Sequence, residues 1–151
     1  SPARRLAAIA GLVQAGIPAA VMASPMIPGL NDMELERILE AAAAAGAGSA
    51  YSIMLRLPHE LGELFTDWLN KFLPERAGHV LSLIRQARAG ALNDAQFHSR
   101  FQGSGPYAQL LRQRFSAAVK RLGLDEASSR LDISQFRVPG RALSSQQMSL
   151  F

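Results

Sequence analysis

The residues able to do chemistry are few, and their spacing excludes more than it proposes. The chain has no cysteine, so it cannot form a disulfide, nor hold zinc or an iron–sulfur cluster through its own thiolates. The histidines, His59, His79 and His98, match no local metal-ligand pattern. They read as surface or internally satisfied side chains. Tyr51 and Tyr107 could relay a hydrogen atom, but core or cap packing is the better account of them. No catalytic acid, base or radical donor stands out. The most informative stretch is Pro25-Met26-Ile27-Pro28-Gly29-Leu30-Asn31-Asp32, whose two prolines and glycine forbid a regular helix. Gly29 would let backbone approach a ligand closely, and a helix opening after Asn31 would offer unpaired N–H groups to a carboxylate or phosphate. A rigid turn shaped by its prolines explains the same residues.

The elements around that stretch decide where it would sit. Leu6, Ile9, Ala10 and Val13 recur at helical spacing after Pro2, and Gly16 is a stop. The short run Ala19 to Ala23 lacks alternation and suits a strand buried on both faces of a parallel sheet. After the proline-rich loop, Asn31 with Glu34 fits a capping box for a helix with its stripe at Leu35, Ile38, Leu39 and Ala42. Ala50 to Leu55 is a second buried-strand candidate. Helix, strand, loop, helix, strand is the βα grammar of a parallel sheet, in which ligands bind at the carboxyl ends of strands. Two strands alone leave unpaired edges, so this sheet is expected to need strands from outside the chain.

Past Pro58 the pattern becomes helical. Leu61, Leu64, Phe65, Trp68, Leu69 and Phe72 form one stripe. Val80, Leu81, Leu83, Ile84 and Ala87 form another, closed by Gly90. Leu92 to Phe101 is expected to be a shorter helix capped by Asn93 or Asp94. Tyr107, Leu110, Leu111, Phe115, Ala118 and Leu122 make a third stripe. The expected organisation is a βα portion at 1–58, a helical extension at 59–124 and a flexible tail at 125–151.

With 48% hydrophobic and 19% charged residues, the chain has the balance of a globular protein. No apolar run is long enough to span a membrane, and the start has no signal-peptide pattern, so a cytoplasmic protein without membrane contact is expected. The net charge of +4 is polarised: four Arg/Lys stand against seven Asp/Glu in residues 1–70, and twelve against five in residues 71–151. The basic second half permits contact with a polyanion such as DNA; a solvated arginine-rich surface explains it too.

Several stretches together resemble a known family. Arg4-Arg5-Leu6, Ala15-Gly16-Ile17-Pro18, Pro25 to Asp32 and Leu55-Arg56-Leu57-Pro58 are similar to the second half of a radical S-adenosylmethionine (SAM) barrel of the spore-photoproduct-lyase-like, "DNA repair photolyase" group. His79-Val80-Leu81-Ser82-Leu83-Ile84-Arg85, Leu92-Asn93-Asp94 and Gly103-Ser104-Gly105-Pro106-Tyr107 fit the same group, so the resemblance runs along nearly the whole chain. It implies an α/β fold: the C-terminal βα units of a partial (β/α)6 barrel followed by a mostly helical extension. It also implies a [4Fe–4S] cluster held by a Cys-x3-Cys-x2-Cys loop upstream of Ser1, with SAM cleaved reductively to a 5′-deoxyadenosyl radical. By resemblance, Ile27, Pro28, Gly29, Leu30 and Asn31, with Ile53 and Leu55, would wall the SAM adenine. The missing N-terminal half of the barrel becomes a required partner, and the chain alone is expected to be inactive. The spore enzyme's hydrogen-donating cysteine has no counterpart here, which argues against photoproduct reversal itself.

The last residues, Gln147-Met148-Ser149-Leu150-Phe151, resemble the bacterial sliding-clamp-binding peptide. Leu150 and Phe151 would be apolar anchors, with Gln147 the polar register contact and Met148 in place of leucine. Both resemblances point to DNA repair or modification. The alternative from another class is a non-catalytic helical adaptor that binds DNA through arginines and the clamp through its tail.

Overall fold

The computed structural model describes residues 1–97 and 99–125. Five helices and two strands follow in the order α1 (Pro2–Gln14), β1 (Ala20–Met26), α2 (Leu35–Ala44), β2 (Ser49–Met54), α3 (Leu61–Phe72), α4 (Pro74–Gln86) and α5 (Gly105–Leu122). The strands pair in parallel, with Val21 opposite Ala50 and Met22 opposite Tyr51, and the register shifts between Ala23 and Met26. The α/β class expected from the sequence is therefore present.

One face of this sheet is packed. Ala23, Met26, Ala50 and Met54 point into a core with Leu35, Leu39 and Ala42 of α2, Ala108, Leu111 and Ala118 of α5, and Leu124. Fully burying a leucine such as Leu35 or Leu39 contributes about 1.5–3 kcal/mol, so this helix-covered face holds the strand pair together. Strand side chains alternate between faces, and the other face is open: Met22 is 58% exposed and Tyr51 is 49% exposed. This corrects the expectation of strands buried on both faces, because among the described residues no layer covers that side. The strand edges also differ. The outer edge of β2 is closed: Leu124 O accepts from Ala50 N at 3.1 Å and Phe101 O from Met54 N at 2.9 Å, with an antiparallel bridge between Ser49 and Asp125. β1 has β2 as its one neighbour among the described residues.

A second core lies under α3 and α4, formed by Leu57, Leu69, Ala77, Val80, Leu81 and Ile84. The stripe of α4 is buried throughout, as its spacing predicts. That of α3 is not. Leu69 is buried, while Leu61, Leu64, Trp68 and Phe72 stay exposed, with Trp68 stacked on Phe65 at 5.8 Å. The apolar face of α3 is wider than α4 can cover.

The helix expected from Leu92 to Phe101 is replaced by turns in the described part of that stretch. The Asp94 carboxylate accepts from Gln96 N at 2.8 Å and from the Ser99 hydroxyl. Side-chain capture of backbone in this way competes with a helical ladder. The loop carbonyls are also claimed from outside: Arg88 takes Ser99 O, Met54 takes Phe101 O, and Arg112 takes Gln102 O and Gly103 O.

Candidate functional site

The loop after β1 begins where the strand ends at Met26, and Leu55 N donates to Met26 O at 2.9 Å. That bond sets the ends of both strands side by side and brings Leu55 next to residues 27–31. Within the loop, the Asn31 amide makes two bonds: Oδ1 accepts from Ile27 N at 2.7 Å and Nδ2 donates to Pro25 O at 3.1 Å. Asn31 therefore closes the loop and does not cap a helix. The capping box expected with Glu34 is not formed, and a 3-10 turn, Asp32–Glu34, intervenes before α2 starts at Leu35.

Helices remote in sequence fasten the loop. The Tyr107 hydroxyl of α5 accepts from Gly29 N at 3.2 Å and donates to Asp32 Oδ2 at 2.5 Å. Arg76 of α4 donates to Gly29 O at 2.6 Å. Arg114 of α5 bonds both carboxylate oxygens of Glu36, at 2.8 and 2.6 Å, and reaches Asp32 O at 3.0 Å. Burial, and then the bond to Asp32, push the Tyr107 phenol above its usual range. The Arg114 bond holds the Glu36 carboxyl below the usual carboxylate range, against a smaller opposing effect of burial. Tyr107 is thus an anchor for the loop, bonded to a carboxylate that is 5% exposed.

Gly29 adopts φ +69°, a conformation that favours glycine. The space a Cβ would fill there is already taken, with Leu83 Cδ1 at 2.8 Å and His79 Cδ2 at 3.3 Å. Its missing side chain lets the loop press on α4. Ile27, Leu30 and Leu55 are half-buried and pack on the core beneath α3 and α4, and Pro28 is fully buried. Alternation along β2 sets Ile53 on the same open face as Tyr51. The seven residues singled out around the loop thus divide among loop closure, core packing and the open sheet face.

Beside the loop, a groove of about 740 Å³ is lined by α1, α2 and β1, whose edge away from β2 is unpaired among the described residues. Its walls include Leu6 and Ile9 of α1, Met22, Ser24 and Pro25 of β1, and Ile38 of α2. Charge enters from Arg5, Arg37 and Glu34.

At the end of β2 lies a cluster that the spacing of residues did not single out. Arg88 is 3% exposed, and its guanidinium donates to Leu55 O at 2.8 Å and Ser99 O at 3.2 Å. Burial pulls its pKa down, partly offset by nearby Asp94, while the charge of Arg56 lowers it further. The Arg56 guanidinium lies 5.1 Å from the Phe101 ring centroid and that of Arg100 lies 4.7 Å from it. A glycine-flanked helix end or a ligand motif gives a sequence signal; this cluster gave none, because its members come from three separate stretches.

His59 lies on the wall of a separate cleft of about 530 Å³, with Glu63 and Asp67. Among the described residues no group of three or more His, Asp or Glu side chains could hold a metal ion. No helix there is long and apolar enough to cross a membrane. His98 and the terminal residues Gln147, Met148, Leu150 and Phe151 lie outside the described residues. No protein-family model, curated protein or solved structure matches the chain.

Proposed function

We propose that the chain is the C-terminal part of a radical SAM enzyme acting in DNA repair or modification. The observation that carries this is the edge of β1 that is unpaired among the described residues and opens on the 740 Å³ groove beside a half-bare sheet face. A strand edge of this kind is a template for further strands. The resemblance carried by the motifs from Arg4 to Pro58 favours a radical SAM barrel as the one those strands would complete.

The residues around the loop fit an apolar wall and not a set of polar ligands. The N–H of Ile27, both polar atoms of Gly29 and the whole Asn31 amide are already bonded within the chain. Ile27 and Leu30, with Ile53 and Tyr51 on the open face, would contribute shape and exclusion of water to an adenine site. Asn31, Tyr107 and Arg76 keep that wall rigid. With no cysteine in the chain, the [4Fe–4S] ligands would have to come from the N-terminal half of the barrel. When bound, the cluster and SAM supply reductive generation of a carbon radical. The terminal segment Gln147 to Phe151 would add a tether to the sliding clamp.

The test is to express the chain joined to its upstream reading frame, purify it without oxygen, and measure iron, sulfide and SAM binding. Bound iron and sulfide with micromolar SAM affinity are expected; a longer protein that binds neither overturns the proposal. The tether is tested separately with a Ser144–Phe151 peptide and purified clamp. Micromolar binding is expected, abolished by Leu150→Ala with Phe151→Ala, and equal binding by both peptides would rule the tether out.

A further inference from the structure

Several described arginines of the basic second half are engaged by partners within the chain. Arg76 holds Gly29 O, Arg112 holds Gln102 O and Gly103 O, Arg114 pairs with Glu36 and Arg121 pairs with Glu40. Arg100, and Arg56 from the first half of the chain, are different. Their guanidiniums have aromatic partners but no carboxylate or carbonyl partner among the described residues: Arg56 on Phe101, and Arg100 on both Phe101 and Phe97, the latter at 4.5 Å. Arg56, Arg88 and Arg100 each also bury an Nε–H that finds no acceptor. The one carboxylate close by, Asp94, is already engaged by Ser99 and Gln96. Two cations are thus aligned over one ring, next to a third that is buried, and the charge facing these three guanidiniums among the described residues is the single carboxylate of Asp94. Phe97, 69% exposed, extends the same surface with an apolar ring.

We infer that Arg56, Arg100, Phe97 and Phe101 form a site for a single nucleic-acid strand, with the guanidiniums on a phosphodiester and a base stacked on Phe97. Position supports it: Arg88 ties the cluster to the last carbonyls of β2, the strand end at which α/β proteins bind ligands. So does composition, since non-specific strand binding combines cationic and aromatic side chains in this way. A simple anion would need the arginines alone; the exposed ring is what favours a nucleotide. Arg88 is a positioning residue here, holding Leu55 and Ser99 so that Arg56 and Phe101 face each other. The inference deepens the nucleic-acid part of the proposal above and rests on it. Its test reads binding alone, so a strand that binds while SAM does not would separate the two.

The experiment is fluorescence anisotropy of the whole chain with a labelled 12-nucleotide oligothymidylate across a salt series. Arg56→Gln with Arg100→Gln is expected to weaken binding at least tenfold and to lower the salt slope by about 0.7, the value for the one phosphate lost. Phe97→Ala, an exposed change that leaves both cores untouched, is expected to weaken binding by about 5- to 100-fold with the salt slope unchanged. The wild-type chain failing to bind, either variant binding as wild type does, or Phe97→Ala altering the slope instead of the salt-independent affinity would overturn the assignment.

Discussion

Replacing Gly29 by alanine tests whether the loop after β1 is built to press on α4. The added Cβ would sit 2.8 Å from Leu83 Cδ1, where carbon atoms prefer roughly 3.5–4.0 Å. Leu83 is buried, so its methyl cannot swing out to solvent without vacating the core. Such overpacking costs about 1–3 kcal/mol, and an alanine at φ +69° adds about 1–2 kcal/mol of left-handed backbone cost. A smaller gain from stiffening the unfolded chain offsets about 0.4–1 kcal/mol. The expected loss is about 1–5 kcal/mol in urea unfolding followed by circular dichroism, at concentrations below the onset of self-association. Leu83→Ala alone should cost about 2–5 kcal/mol through its cavity. The double variant separates the causes, because the backbone cost is present with or without Leu83 and cancels in the cycle, whereas the clash does not. Combined losses should fall short of additive by about 1–3 kcal/mol. Strict additivity, or a Gly29→Ala loss under about 0.5 kcal/mol, would refute the packing role and restore Gly29 as a position that faces a ligand.

Tyr107→Phe removes the phenol shared by Gly29 N and buried Asp32, and should cost about 2–4 kcal/mol in the same assay; an unchanged midpoint would mean that water replaces it. The Glu36 carboxyl has a lower pKa folded than unfolded, so its contribution is fully present above the unfolded value and is lost as pH falls through the folded one. Acid titration of stability should therefore be flatter below the usual carboxylate range in Glu36→Gln, and superimposable curves would contradict this. Self-association through the open side of β1 should rise with concentration in sedimentation velocity and fall in Met22→Lys, which puts a charge on the bare face; identical behaviour of the two proteins would argue against strand-edge contact.

The sequence is legible where one partner dictates one pattern. The stripe of α4 and that of α2 match their burial because each helix has a single covered face and a fixed period. The parallel strands were visible as short apolar runs, but their open face was not, since an apolar run cannot report which neighbour is present. The Leu92–Phe101 stretch misled because helical spacing is weak evidence beside Asp94, whose short carboxylate captures Gln96 and Ser99 locally. Asn31 misled similarly: its position fitted a cap, yet the loop offered Ile27 N and Pro25 O closer at hand. Tyr107, Arg76, Arg88 and Arg114 were legible as residues but not in their roles, since partners tens of positions away are set by tertiary packing alone.

The hydroxyl of Tyr107 and the guanidinium of Arg76 hold the two polar atoms of one glycine from two different helices. The shape of the loop after β1 is therefore stored downstream of it in the chain, in segments synthesised later. A ribosome-bound nascent chain ending near Pro58 would carry the loop without its fasteners, and a chimera joining these strands to another protein's helices would inherit the turn but not its set. Swapping parts at that point requires the glycine, the tyrosine and the arginine to travel together.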